Sequence, residues 1–82
     1  MSELRLVIVS PDKRIFRGEI TSVTLPGAMG NFSILPNHAP IVSSLQEGNL
    51  EYVTFDGGQH TLEIQGGFAE MSNGEVSVCV TT

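Results

Sequence analysis

The side chains here with an intrinsic capacity for chemistry are few: His38, His60 and Cys79, with nine carboxylates spread along the chain. A histidine beside a thiol or a carboxylate makes a general base or an activated nucleophile, provided the partners lie within hydrogen-bond reach. Neither histidine has an acidic residue or Cys79 at a spacing that recurs in a catalytic motif. Zinc needs three or four ligands, usually in paired short spacings, and two scattered histidines with one cysteine do not supply them. Gly27-x-x-Gly30 lacks the following lysine of a phosphate loop and leads into a strand pattern, so it does not read as a phosphate cradle. No catalytic residue, metal or cofactor is expected.

Cys79 sits on the opposite parity to Val76, Val78 and Val80 and reads as a small side chain filling a semi-buried strand position. Thiolate chemistry would need electropositive surroundings, and the neighbouring residues supply none. His60 follows a hairpin turn and reads as exposed. His38 stands apart, because Pro36 and Pro40 bracket Asn37, His38 and Ala39 in the segment Phe32 to Pro40. Fixed φ angles and missing amide donors make that turn stiff, solvent-facing and unable to continue a strand ladder. Two readings of His38 stand: a ring that bonds local carbonyls and stiffens the loop, or a direct partner contact.

The elements that position these groups are strands. Leu4, Leu6 and Ile8 alternate with Arg5, Val7 and Val9. Ser10-Pro11-Asp12-Lys13 is a turn signal, after which Ile15 and Phe16 reopen a strand to Leu25. Gly18 within it suggests a bulge, and the apolar parity switches between Ile20 and Val23, so the strand should bend and serve both sides of the core. Beyond the Pro26–Gly30 turn come Phe32 to Leu35, Ile41 to Leu45 and, after Gln46-Glu47-Gly48, Asn49 to Phe55. Asp56-Gly57-Gly58-Gln59 is the strongest hairpin signal. Leu62 and Ile64 alternate with Thr61, Glu63 and Gln65. Gly66-Gly67 should break that strand at a sharp bend where strands pack closely. Phe68 to Met71 and Glu75 to Thr81 close the set around Ser72-Asn73-Gly74. No 3.6-residue apolar period persists over three turns. An all-β domain over residues 1–82 is expected, an antiparallel sandwich or flattened barrel with one wet face per sheet.

Composition narrows the function. Nine acidic against four basic residues give a net charge of −5, which weighs against nucleic acid and anionic lipid. Lys13, Arg14 and Arg17 cluster as either a solvated hairpin face or a contact patch for an acidic protein surface. A lone cysteine, and Met1-Ser2-Glu3 running straight into the strand pattern, suggest a reducing, cytoplasmic setting without a targeting segment. No apolar run approaches the roughly 20 residues of a membrane span.

One ordered series is specific. Leu6-Val7-Ile8-Val9-Ser10-Pro11-Asp12, Phe16 with Gly18-Glu19, Val23 before Pro26-Gly27, and Gly30 with Phe32 come first. Ile34-Leu35-Pro36-Asn37-His38-Ala39-Pro40, Leu45 with Gly48, Gly66-Gly67-Phe68 and Val76 to Val80 follow in order. Over essentially the whole chain this resembles the N-terminal β domain of the epsilon subunit of F-type ATP synthase. The resemblance implies a flattened β-sandwich of about ten short strands. It implies a non-catalytic central-stalk subunit that binds the gamma subunit and the membrane rotor ring of c subunits and couples proton flow to ATP synthesis. Carried over by position, Ser10, His38, Ala39 and Ser43 would face gamma, and Gly27, Ala28, Met29, Gly30 and Asn31 would meet the polar loops of the ring.

The implied location is peripheral, on the cytoplasmic face of a bacterial inner membrane, without insertion into the bilayer. The family commonly carries an acidic residue where Asn31 stands and glycine where Ser33 stands; Asn31 can hydrogen-bond but not ion-pair. Because the sequence stops at Thr82, the C-terminal helical hairpin of longer members is not expected, nor inhibition of hydrolysis by that route or an ATP site. A free-standing β-sandwich module for a protein, small ligand or glycan is the alternative, though no Trp and a single Tyr make a sugar-stacking face unpromising. Exposed apolar residues such as Met29 and Ile41 could add interface area.

Overall fold

Alternation in LRLVIV builds β1 (Leu4–Val9), with Leu4, Leu6 and Ile8 buried and Arg5, Val7 and Val9 half-exposed between them. The computed structural model describes residues 4–82, so expectations placed on Met1, Ser2 and Glu3 lie outside the described residues. β2 (Arg14–Gly27), β3 (Gly30–Ile34), β4 (Ile41–Leu45) and β5 (Gly48–Thr54) follow, then β6 (Gln59–Ile64), β7 (Gly66–Ser72) and β8 (Glu75–Thr81). No helix occurs among the described residues.

The strands run in the order β1-β8-β7-β4-β2-β5-β6, with β3 on β2, and β1 pairs β2 to close a ring. One layer is therefore β4, β7, β8, β1 and the first half of β2; the second half of β2 joins β3, β5 and β6 in the other. The molecule measures 34 × 23 × 19 Å. Eight strands are present among the described residues, where about ten were expected, because β2 runs unbroken through 14 residues and serves both layers. The all-β expectation holds, with one addition: β1 and β8 pair in parallel, so the sheet is mixed.

Two irregularities let β2 do this. Ile8 pairs Phe16 and Val9 pairs Arg14, leaving Ile15 as an extra residue; Ile20 pairs Thr54 and Ser22 pairs Val53, leaving Thr21. An extra residue flips side-chain parity and bends the strand. Ile20 faces the core before Thr21, and Val23 and Leu25 face it afterwards, the parity switch read from the sequence. The bulge expected at Gly18 is not there: Gly18 pairs Leu6 in regular register, and its missing side chain accommodates the Phe16 ring, whose Cζ would lie 3.1 Å from a Cβ.

Between the layers lies a continuous core that includes Leu6, Ile8, Val23, Leu25, Ile34, Leu50, Ile64 and Val76, each fully buried. Phe16 and Tyr52 pack at 4.6 Å between ring centroids, and His60 stacks on Tyr52 at 5.0 Å, so His60 is exposed but held. The break expected at Gly66-Gly67 falls one residue earlier, at Gln65 between β6 and β7, and the two glycines themselves open β7, pairing Thr81 and Val80. The close packing expected there is real. A Cβ on Gly67 would lie 2.0 Å from the Cys79 carbonyl oxygen, so β7 and β8 can approach only over glycine. Cys79 is exposed rather than semi-buried, because its parity puts it on the outer face of β8.

Candidate partner interface

The β2–β3 connection closes on the pair Gly27 and Gly30, leaving Ala28 and Met29 at its tip. Gly30 has φ +123°, a conformation that a side chain would strain. A Cβ on Gly27 would meet the Gly30 carbonyl oxygen and the Phe32 ring, each at 2.7 Å. The turn is also tied sideways to β4: the Ala28 amide donates to the Ser44 carbonyl (2.9 Å) and the Gln46 amide to the Pro26 carbonyl (2.8 Å). Met29 is completely exposed, and Asn31, level with Pro26, is exposed beside it. Behind the turn the hydroxyls of Thr24 and Ser33 bond at 2.8 Å, a link that glycine in place of Ser33 could not make.

In the β3–β4 connection the His38 amide donates to the Leu35 carbonyl (3.1 Å), with Asn37 at φ +73° after Pro36. Proline second and a positive-φ asparagine third is the pattern of a type II turn. The His38 Nδ1 lies 2.6 Å from the Ala39 carbonyl oxygen. A carbonyl only accepts, so Nδ1 carries the proton and Nε2 is the ring's remaining polar atom. The local-carbonyl reading of His38 therefore holds, and it leaves one ring nitrogen for another contact.

The sequence-expected residues do not form a single cluster. His38 and Ala39 lead into the start of β4, whereas Gly27 pairs Leu45 at its end. The four residue steps from Ile41 to Leu45 set those ends about 13 Å apart. Ser43 lies between them, its hydroxyl donating to the Ser44 carbonyl (3.0 Å). Ser10 is elsewhere: it follows Val9 on β1, three strand spacings from β4, or about 14 Å. Its amide donates to the Lys13 carbonyl (2.8 Å), which holds the β1–β2 turn, and it borders a groove of about 310 Å³ lined by Val9, Phe68 and Cys79.

Sequence reasoning missed the outer apolar residues of that layer. Val42 is 73% exposed and Phe68 49%, whereas Ile41, expected to be exposed, packs half-buried against the core. The signal was present in the parity of β7, where Ala69 and Met71 are buried and Phe68 must face outward. Burial pushes the Tyr52 phenol above its ordinary value. The Asp56 carboxyl is held below the usual carboxylate range, first by the Thr54 hydroxyl (2.6 Å) and then by the Gly58 amide (3.1 Å). Both belong to the β5–β6 hairpin rather than to a reactive centre. Among the described residues no three His, Cys, Asp or Glu side chains gather as a metal site.

A family model described as "ATP synthase, Delta/Epsilon chain, beta-sandwich domain" matches residues 3–82. The chain belongs to this family. Among curated relatives, the ATP synthase epsilon chain of Bordetella petrii is 39% identical over 82 residues, covering 100% of this chain and 58% of that protein. The epsilon chain of Leptospira interrogans is 38% identical over 77 residues, covering 94% and 60%. This delta/epsilon-family domain thus spans about three-fifths of the length of those relatives. Its fold is that of a chain in the Euglena gracilis mitochondrial ATP synthase, with a TM-score of 0.92 at 24% identity, covering 100% of this chain and 52% of that one. A chain in the central stalk/c-ring structure of the Tetrahymena thermophila enzyme superposes with a TM-score of 0.78 at 14% identity, covering 96% and 63%.

Proposed function

We propose that this domain is the partner-contacting part of a non-catalytic central-stalk subunit of a proton-translocating F-type ATP synthase. It binds the gamma subunit and the rotor ring, and so couples proton flow to ATP synthesis. The observation that carries the reading is the family match across residues 3–82. The geometry supplies a physical reason for it. Torque passes through a contact only if the contacting element resists deformation, and both connections beside β4 are stiff. Glycine geometry and two backbone bonds to the β4 side hold the Gly27–Asn31 turn, while Pro36, Pro40 and a ring-to-carbonyl bond hold the His38 loop.

In this reading Gly27, Ala28, Met29, Gly30 and Asn31 meet the polar loops of the ring, and Ser10, His38, Ala39 and Ser43 face gamma. The wide spacing of that second set suits a broad protein surface better than a pocket for a small ligand. Asn31 contributes hydrogen bonds to the ring without an ion pair. The domain works at the cytoplasmic face of a bacterial inner membrane through protein contacts, and no helix among the described residues is long and apolar enough to cross a membrane.

The test is capture of gamma from the native membrane fraction by the tagged 82-residue chain, with His38→Ala and Ala39→Arg in parallel. Recovery of gamma and catalytic-head subunits by the unsubstituted chain is expected, with weaker capture by both variants at unchanged melting temperature. No recovery of gamma at low salt would overturn the reading.

A further inference from the structure

The last hairpin carries two residues that can react with one another. β7 and β8 turn through Asn73 and Gly74 alone, between the paired Ser72 and Glu75. Asn73 has φ +54° and Gly74 φ +78°, and a two-residue loop with both values positive is a type I′ turn. Asn73 is exposed, and its side-chain amide makes no hydrogen bond among the described residues. The peptide between the two residues is unheld as well: neither the Asn73 carbonyl nor the Gly74 amide has a backbone partner there. The next carbonyl, that of Gly74, accepts from the Arg5 amide at 2.9 Å.

A peptide without partners can rotate in place. Flipping the one between Asn73 and Gly74 converts a type I′ turn to type II′, which keeps φ positive at the first position and moves its ψ to about −120°. Glycine accepts the negative φ that the second position then takes. The Ser72–Glu75 pair and the Arg5–Gly74 bond need not open. At that ψ the Gly74 nitrogen eclipses the Asn73 Cβ, within reach of Cγ for closure of a five-membered ring. The other asparagines are held. Asn31 and Asn49 lie inside β3 and β5, paired with Pro26 and Glu63, and precede the bulky Phe32 and Leu50. The amide after Asn37 donates to the Leu35 carbonyl at 3.1 Å, which fixes that peptide. At the comparable step Asp56-Gly57 the carboxyl is bound by the Thr54 hydroxyl (2.6 Å) and the Gly58 amide (3.1 Å), which keep it ionised and a poor electrophile.

We propose that Asn73 is a self-modification site, at which the folded chain deamidates through a cyclic imide formed with Gly74. The Gly74 nitrogen bonds to the Asn73 Cγ and gives up its proton; the Cγ–Nδ2 bond breaks, and that nitrogen leaves as ammonia. Water then adds to one of the two ring carbonyls and breaks its bond to the ring nitrogen. Opening at the side-chain carbonyl gives aspartate. Opening at the Asn73 backbone carbonyl gives isoaspartate, in which the main chain runs through the former side chain. Either product adds a carboxylate to the hollow of about 350 Å³ that Glu70, Asn73 and Glu75 line, where like charges repel. Isoaspartate also inserts a backbone carbon into a two-residue turn, which strains the Ser72–Glu75 pair and the link from Gly74 to Arg5 on β1.

The experiment incubates the purified 82-residue chain at mildly alkaline pH, folded and in urea, and maps amide loss by mass spectrometry of proteolytic peptides. Loss at Asn73 in the folded chain should be at least about tenfold faster than at Asn31, Asn37 or Asn49. It should also stay within about tenfold of the rate in urea, because the flip opens no strand. Both aspartate and isoaspartate should form, separated by retention time, and the Arg5 amide should exchange faster in the modified chain. Asn73→Gln, whose longer side chain would need a six-membered ring, should abolish the modification, with a thermal melt to check that the variant folds. Loss at Asn73 in urea alone, or in neither state, would overturn the proposal, as would loss led by another asparagine. Aspartate formed without isoaspartate would indicate direct hydrolysis by water and would overturn the role given to the Gly74 amide.

Discussion

Replacing Gly67 by alanine tests the closest approach in the sandwich. A Cβ there would lie 2.0 Å from the Cys79 carbonyl oxygen and 3.0 Å from the Val80 Cα, and φ at that position is +144°. Every obstructing atom is backbone, so no side-chain rotation relieves the overlap; β7 and β8 must separate where Gly67 pairs Val80. Overpacking of this kind costs about 1–3 kcal/mol, and holding alanine at such a φ costs about another 1–3 kcal/mol. The expected loss is roughly 2–6 kcal/mol, from a total of about 4–12 kcal/mol for a chain this long. At about 4–8 °C per kcal/mol the midpoint should fall by at least about 8 °C. Gly57→Ala is the control: its φ is also positive, at +94°, but nothing lies within 4 Å of the new Cβ, so only the conformational cost applies. Urea unfolding followed by circular dichroism gives both values from midpoints at a common slope. If Gly67→Ala lost no more stability than Gly57→Ala, the close approach of β7 to the β8 backbone would be refuted.

Ile64→Ala, in fully buried surroundings on β6, should cost about 2–5 kcal/mol in the same urea assay. The Asp56 carboxyl is depressed in the folded state by the Thr54 hydroxyl and the Gly58 amide. Its contribution is therefore complete above the unfolded pKa of about 4 and lost as pH falls through the folded value. Asp56→Asn should flatten that acid limb, read as hairpin amide exchange in the acid range. Met29→Glu should weaken capture of ring subunits without changing the melting temperature, since Met29 is completely exposed; a lowered melting temperature would show that the turn tip packs onto the domain.

The strand pattern was legible wherever one face is buried and the other wet. Leu4, Leu6 and Ile8, or Val76, Val78 and Val80, declare their faces by alternation alone, and the parity change between Ile20 and Val23 announced the bend of β2. Glycine was harder to read, because its one-letter identity does not say what it makes room for. Gly18 accommodates the Phe16 ring without a bulge, and Gly66-Gly67 begins a strand because the β8 backbone passes over it. The parallel pairing of β1 with β8 joins the two ends of the chain, a long-range choice with no local signal. The stiffness of the Pro36–Pro40 loop was visible in its prolines, but the bond from the His38 ring to Ala39 needed coordinates. The outer face of Val9, Phe68 and Cys79 went unread because its members come from three strands that only the register brings side by side.

That register also links the surfaces mechanically. β2 begins at Arg14, paired with Val9 of β1, and ends at Gly27, in the turn proposed to meet the ring. It pairs β1 over its first half and β5, β3 and β4 beyond, so both its ends are held by neighbouring strands. A load applied at the turn reaches the β1–β2 end of the domain through one hydrogen-bonded strand, with the bulge at Thr21 as its one irregular step between Ile20 and Gly27. Thr21 is exposed, and its hydroxyl lies 3.5 Å from the Val53 carbonyl, too long to lock that step. Stiffness there must come from Ile20 and Val23, buried on either side of the bulge. Thr21→Ala should therefore leave stability nearly unchanged, whereas Val23→Ala should cost about 2–4 kcal/mol and loosen the amides of Ser22 to Thr24 in hydrogen exchange. The opposite ranking would place the rigidity of the link in the backbone bulge instead of in the core beneath it.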